Sequence, residues 1–145
     1  MSLTEDLYKE IILEHAQNPS HSHSVPNANI HESGVNRSCG DELQLEILVE
    51  DGVIKDIGIK GKGCSISTAS ASMMADAVEG MAVEQVETLI ERFKAMLLTE
   101  EDIQFTGEQE ELEALKGIKR YPIRVKCATL SWNTLEQALK QSMQK

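Results

Sequence analysis

Apolar side chains recur along the chain at two different periods, and the switches between them mark the elements. Leu3, Leu7, Ile11 and Ile12 follow one another at helical spacing as far as about Gln17, and Ser2-Leu3-Thr4-Glu5 has capping-box spacing, so an opening amphipathic helix is expected. Between Asn18 and Gly40 the periodicity lapses among Pro19, Pro26, Gly34 and many Asn, Ser and His residues, which reads as loop with one short strand near Ile30 to Val35. Leu43, Leu45, Ile47 and Val49 then alternate with Glu42, Gln44, Glu46, Leu48 and Glu50, the period of a half-buried strand. Asp51-Gly52 supplies a hairpin turn, and Val53, Lys55, Ile57 and Ile59 continue the period on a return strand that ends at Gly61-Lys62-Gly63.

The rest of the chain reads as helix. Ser65 to Glu79 is rich in Ala and Ser, suited to close packing on a sheet, and Gly80 can end it. Val83, Val86, Ile90, Phe93 and Leu97 form a stripe at spacings of three and four, predicting a helix over about Val83 to Leu98. Glu108 to Lys116 reads as a short acidic helix stopping at Gly117. Pro122 can occupy the first position of a last helix running to about Lys140, with Ile123, Cys127, Leu130, Ala138 and Leu139 toward the core. A helix, a small antiparallel sheet of about three strands and then several helices make an α+β fold with the helices on one sheet face. Neither repeats nor a boundary divide residues 1–145, so one domain is expected.

Composition narrows the function. Hydrophobic residues make up 41% of the chain but only two Phe, two Tyr and one Trp are aromatic, so the core is mainly aliphatic. A formal charge of −10 argues against nucleic acid as a partner, since phosphate binding depends on Lys and Arg. No run reaches the roughly 20 apolar residues that span a bilayer, and the first six residues lack the regions of a secretory signal, so a soluble cytoplasmic protein with no membrane partner is expected.

Three cysteines, Cys39, Cys64 and Cys127, are too few and too widely spaced for a disulfide framework. Cys39 lies between Ser38 and Gly40 where the chain enters the hairpin, and Cys64 follows the strand that leaves it, so antiparallel pairing brings both to one end of the sheet. Cys64 also precedes a helix whose free N–H groups favour a thiolate. Asp41 is within reach of whatever Cys39 touches. Where Cys127 docks does not follow from spacing; were it to join them, Cys39, Asp41, Cys64 and Cys127 would form a set of three sulfurs and one oxygen suited to tetrahedral zinc. From the residues alone, a metal or cluster site, a thiol redox or transfer site, and inert core thiols all stay open.

Cys39-Gly40-Asp41, Gly63-Cys64 with Ala69-Ser70, and Cys127 within Arg124-Val125-Lys126-Cys127-Ala128-Thr129-Leu130-Ser131-Trp132 together resemble the iron–sulfur assembly family of IscU and the NifU N-terminal domain. The likeness spans nearly the whole chain, including His15 and Asn18-Pro19. Two departures point to the SufU branch: Lys126 stands where IscU has histidine, and an apparent insertion covers about Thr106 to Tyr121. The resemblance implies an IscU-like fold, Zn2+ on Cys39, Asp41, Cys64 and Cys127, and persulfide sulfur accepted on Cys39 from a pyridoxal-phosphate cysteine desulfurase of the SufS type. Such an acceptor is sulfurtransferase-like and serves downstream cluster assembly or acceptor proteins. The alternative it implies is a non-enzymatic scaffold that builds a [2Fe-2S] cluster, or holds iron, on the same four ligands.

Arg124, three residues before Cys127, shares its helix face and can stabilise a thiolate or persulfide; the plainer reading is a surface cation. His21, Ser22 and His23, with His31, offer donors for a second metal site, but they lie in a polar loop without a fixed periodic partner and read more simply as solvated loop; the acidic stretch Glu108 to Glu113 reads as a solvated face. Gly58 to Gly63 fits no phosphate-loop pattern. Met73 and Met74 read as helix core and Trp132 as the packing anchor of the last helix.

Overall fold

The computed structural model describes residues 3–143, so the Ser2 cap lies outside the described residues. Its order is α1 (Leu3–Gln17), β1 (Ile30–Asn36), β2 (Asp41–Glu50), β3 (Val53–Lys62), α2 (Ser65–Val78), α3 (Val83–Leu98), a 3-10 helix (Gly107–Arg120) and α4 (Pro122–Met143). The three strands form one antiparallel sheet in the order β1-β2-β3. This is an α+β fold. None of the described helices is long and apolar enough to cross a membrane.

The alternating residues of β2 do what their period requires: Leu43, Leu45 and Ile47 are buried, while Glu42 and Gln44 on the opposite face are exposed. On β3 the expected alternation fails. Ile47 stands opposite Ile57 and Leu48 opposite Asp56, but Val49 stands opposite Ile54, so Lys55 is an extra residue in the ladder. That bulge lets Ile54 and Ile57, three apart, share the buried face, and leaves Val53 only half-buried.

The buried sheet face meets α4 across β1 and β2, and α2 against β3. The small residues of α2 serve its packing between α1 and α4 more than its contact with the sheet. Trp132 of α4 stacks on Phe93 of α3 with centroids 4.1 Å apart, and its indole N–H donates to Ser70 Oγ on α2. Met73 and Met74 are buried, as a helix core requires.

Several expectations are corrected. Leu7 is exposed, leaving Ile11, Ile12 and Ala16 as the described apolar residues by which α1 meets the core. The acidic segment does not stop at Gly117 but runs as a 3-10 helix to Arg120, with Leu112 and Leu115 fully buried. Nor is it a solvated face throughout, because Glu111 Oε2 lies 3.0 Å from His15 Nε2 and Glu113 accepts from Lys116 and from the Phe105 amide. Ile123, expected in the core, is 66% exposed at the start of α4. The histidine loop is not solvated throughout: the His21 side chain is 11% exposed.

Candidate metal centre

Each cysteine reaches the open end of the hairpin from a different element. Cys39 sits on the turn between β1 and β2, half-buried, followed by Gly40 at φ +71°, a left-handed conformation that favours glycine. Asp41 opens β2 opposite Asn36 in the register and is fully buried. Cys64 is the N-cap of α2, its sulfur accepting from the Ser67 amide at 3.4 Å. Cys127, in the second turn of α4, is fully buried. The packing of α4 across β1 therefore supplies the convergence that spacing left open.

Donor atoms of Cys39, Asp41 and Cys127 all lie within 4.8 Å of one another, and the Cys127 thiol donates to Cys39 Sγ at 2.9 Å, well beyond a disulfide bond of about 2.05 Å. The sulfur of Cys64 stands outside that group of three, yet its backbone is tied into the site: the Cys64 amide donates to Asp41 Oδ1 at 2.8 Å. A methyl group on Gly63 would come within 2.7 Å of the same oxygen, so only glycine lets the chain pass this close to the carboxylate.

Asn36 belongs to the site and was missed by sequence reasoning. Its side-chain amide donates to Asp41 Oδ2 at 3.4 Å and to Cys127 Sγ at 3.7 Å. The available signal was a polar residue at the end of a strand three positions before Cys39. Burial, and then hydrogen bonds to Cys39, Cys64 and Asp41, push the Cys127 thiol well above its ordinary pKa. Arg124 is exposed and faces the sulfurs; negative charge on Cys64, then hydrogen bonding and charge at Cys127, hold its guanidinium above the usual value. Lys62 is exposed on β3 opposite Glu42. Outside the thiols an open groove runs past Cys39 and Cys64 along Arg120, Tyr121, Pro122, Ile123 and Arg124, and its apolar residues Tyr121 and Ile123 are more than half exposed.

A three-stranded antiparallel sheet backed by helices carries at its open end thiols from three separate elements and one buried carboxylate, a donor set whose chemistry suits a soft metal ion. The chain belongs to the family of NifU-like N-terminal domains, whose pattern matches residues 7–145. It is 42% identical over 135 residues to the iron-sulfur cluster assembly scaffold protein IscU of Thermotoga maritima, covering 93% of this chain and 94% of that one. It is 36% identical over 135 residues to the zinc-dependent sulfurtransferase SufU of Bacillus subtilis, covering 93% and 90%. Among solved structures, a putative iron-sulfur cluster assembly scaffold protein for the SUF system from Fervidobacterium islandicum superposes with a TM-score of 0.83 at 32% identity, over 93% of this chain and 98% of that one.

Proposed function

We propose that this protein is a zinc-dependent sulfur acceptor of iron–sulfur cluster assembly, taking persulfide sulfur on Cys39 from a pyridoxal-phosphate cysteine desulfurase. The observation that carries the reading is the asymmetry of the thiols. Cys127 and Asp41 are buried and Cys64 is fastened as a helix cap, whereas Cys39 sits half-exposed on a turn beside the open groove. The likeness to the Bacillus subtilis sulfurtransferase supports it.

Cys39, Asp41, Cys64 and Cys127 would hold the zinc, and the three donor atoms already within 4.8 Å of one another fit a tetrahedral ion once Cys64 turns from its cap. Bound there, zinc keeps thiols ionised at neutral pH and adds no redox chemistry of its own. Asn36 and the Cys64 amide orient Asp41, and Arg124 offers positive charge to whichever sulfur is ionised. In the transfer, the Cys39 thiolate attacks the terminal sulfur of the partner's persulfide. The partner's sulfur–sulfur bond breaks as the new one forms on Cys39, the partner's cysteine leaves as a thiolate, and the terminal sulfur keeps its proton, so no oxidant is consumed. The groove along Tyr121, Pro122 and Ile123 is where the desulfurase would dock, and reduced thiols suit a cytoplasmic setting.

A second reading rests on the Thermotoga maritima relative: the same four residues would hold a [2Fe-2S] cluster as cargo and pass it to acceptor proteins. Desulfurase turnover with the zinc-loaded protein, without iron and under reducing conditions, separates the two. A large rise that disappears in Cys39→Ser is expected of the acceptor. Unchanged turnover, with a visible-absorbing cluster forming from iron and sulfide and moving intact to an apo acceptor, would replace it with the scaffold.

A further inference from the structure

The geometry points to a second metal site, for a divalent transition-metal ion held by His21, His23 and Asp56, near the other end of the hairpin from the cysteines. It is independent of the function proposed above. Asp56 stands opposite Leu48 near the hairpin turn, six residues before Lys62 ends β3, a span of about 20 Å along a strand. One ion cannot serve both places.

His21-Ser22-His23 is an ordinary polar loop in sequence, but the fold fastens it to β3. His21 adopts φ +66°, uncommon for a residue with a side chain, and its carbonyl accepts from the Ile59 amide at 2.9 Å. A methyl group on Gly58 would collide with the His23 carbonyl, so the loop lies against the strand only because position 58 is glycine. The outcome is that one donor atom from each of His21, His23 and Asp56 lies within 4.8 Å of the other two.

The spacing suits a shared ion. His23 Nε2 and Asp56 Oδ1 are 2.9 Å apart, and two donors bonded to one tetrahedral ion at 2.0–2.1 Å stand about 3.3 Å apart. A ligating histidine ordinarily gives its second ring nitrogen to a carbonyl or carboxylate. His21 has both kinds of partner: Ile57 O lies 3.1 Å from Nδ1 and Asp76 Oδ1 3.1 Å from Nε2, so either nitrogen can turn to the ion with the other held. Asp56 is fixed as well, its Oδ1 accepting from the Ile57 amide at 2.8 Å. Glu79 Oε2 adds a third carboxylate 3.6 Å from His21 Nδ1. Three carboxylates, Asp56, Asp76 and Glu79, supply negative charge for a dication to offset. Two imidazoles and one carboxylate select Zn2+, Co2+, Ni2+ or Fe2+ over the all-oxygen preference of Ca2+ and Mg2+, and water would complete the shell.

Co2+ added to the purified full chain tests this, because cobalt on thiolates gives a sulfur charge-transfer band and cobalt on nitrogen and oxygen gives only visible d–d bands. One ion per chain is expected to bind with d–d bands and no charge transfer, whatever binds at the cysteines. His23→Gln, at a side chain 48% exposed, is expected to weaken that ion at least about tenfold and leave any charge-transfer band unchanged, and Asp56→Asn to do the same. Absence of any ion free of charge transfer, or such an ion held with unchanged affinity in both variants, would overturn the site and leave His23 and Asp56 as a plain ion pair.

Discussion

Gly63 shows how little room the site allows. A methyl group there would stand 2.7 Å from Asp41 Oδ1 and 3.2 Å from Ser67 Oγ, and the Asp41 oxygen is the one that accepts from the Cys64 amide. Asp41 is fully buried and cannot move toward solvent, so relief must come from a shift of the Gly63-Cys64 backbone or of the carboxylate. Gly63→Ala is therefore expected to cost about 1–3 kcal/mol of stability by overpacking. It should also weaken zinc about 10- to 100-fold by misdirecting Asp41, the scale of a disturbed ligand orientation. Competition with a chromophoric chelator measures the second effect; unchanged affinity alongside lowered stability would remove Asp41 from the ligand set. Asn36 is placed by register: a polar residue three positions before Cys39 is a weak local signal, and the strand pairing that sets it opposite Asp41 gives it two partners in the site.

At the scale of elements, the segment from Phe105 to Arg120 is tied down by Glu113. Burial alone would raise the Glu113 pKa, but hydrogen bonds from Lys116 Nζ at 2.8 Å and from the Phe105 amide at 3.1 Å outweigh it, so the carboxyl sits below its ordinary value. For Lys116 burial pulls downward, and the bonds and charges of Glu113 and Asp102 carry the pKa upward instead. A lowered carboxyl contributes stability in full above its unfolded value, about pH 4.3, and loses it as pH falls through the lower native value; the raised ammonium loses its share only as pH climbs through its own native value. Glu113→Gln should cost about 1 kcal/mol at neutral pH, roughly 3 °C in Tm, and flatten the acid limb of the stability profile. Denaturant titrations between pH 3 and 7 check it, and an unaltered acid limb would show the pair to be an unproductive contact. The sequence period was a reliable guide where an element has one buried side, as in α3 and β2. It failed where a neighbour decides. The ladder bulge at Lys55 shifts the buried face of β3, Leu112 and Leu115 draw the acidic segment inward past Gly117, and His21 is turned in by partners 36 and 55 residues away. In the site, pairing of the hairpin predicts that Cys39 and Cys64 share an end, but the arrival of Cys127 depends on how α4 packs on β1, which no local pattern encodes.

For the whole molecule, the question is whether the metal holds the fold or the fold holds the metal. Among the described residues, the largest fully buried side chains, including Trp132, Phe93, Ile47, Ile57, Met74 and Leu115, are apolar, and the smaller Cys127 and Asp41 are fully buried beside them. What fixes α4, and so Cys127, is apolar and hydrogen-bonded: Trp132 stacks on Phe93, its indole N–H reaches Ser70 Oγ at 3.0 Å, and Ser70 Oγ donates to Ala128 O. Large buried aromatics of this kind are worth about 3–5 kcal/mol each on truncation, a sizeable part of the 5–15 kcal/mol by which domains are usually stable. Cys39 and Cys64 sit at the edge of this core, and Cys64 is fastened there by its helix cap and by the bond between its amide and Asp41. An ion bound only by the native state still adds RT ln(1 + [L]/Kd), about 4 kcal/mol at a thousandfold excess over Kd, or roughly 10 °C in Tm for a chain of this size. Stripping zinc with a chelator should therefore lower Tm by about that amount while leaving the far-ultraviolet circular dichroism at 25 °C intact. Returning zinc should restore the original Tm. Collapse of the helical signal at 25 °C on chelation would mean that metal-binding energy is folding energy, and a thiol that anchors the fold could not also leave the metal to accept sulfur.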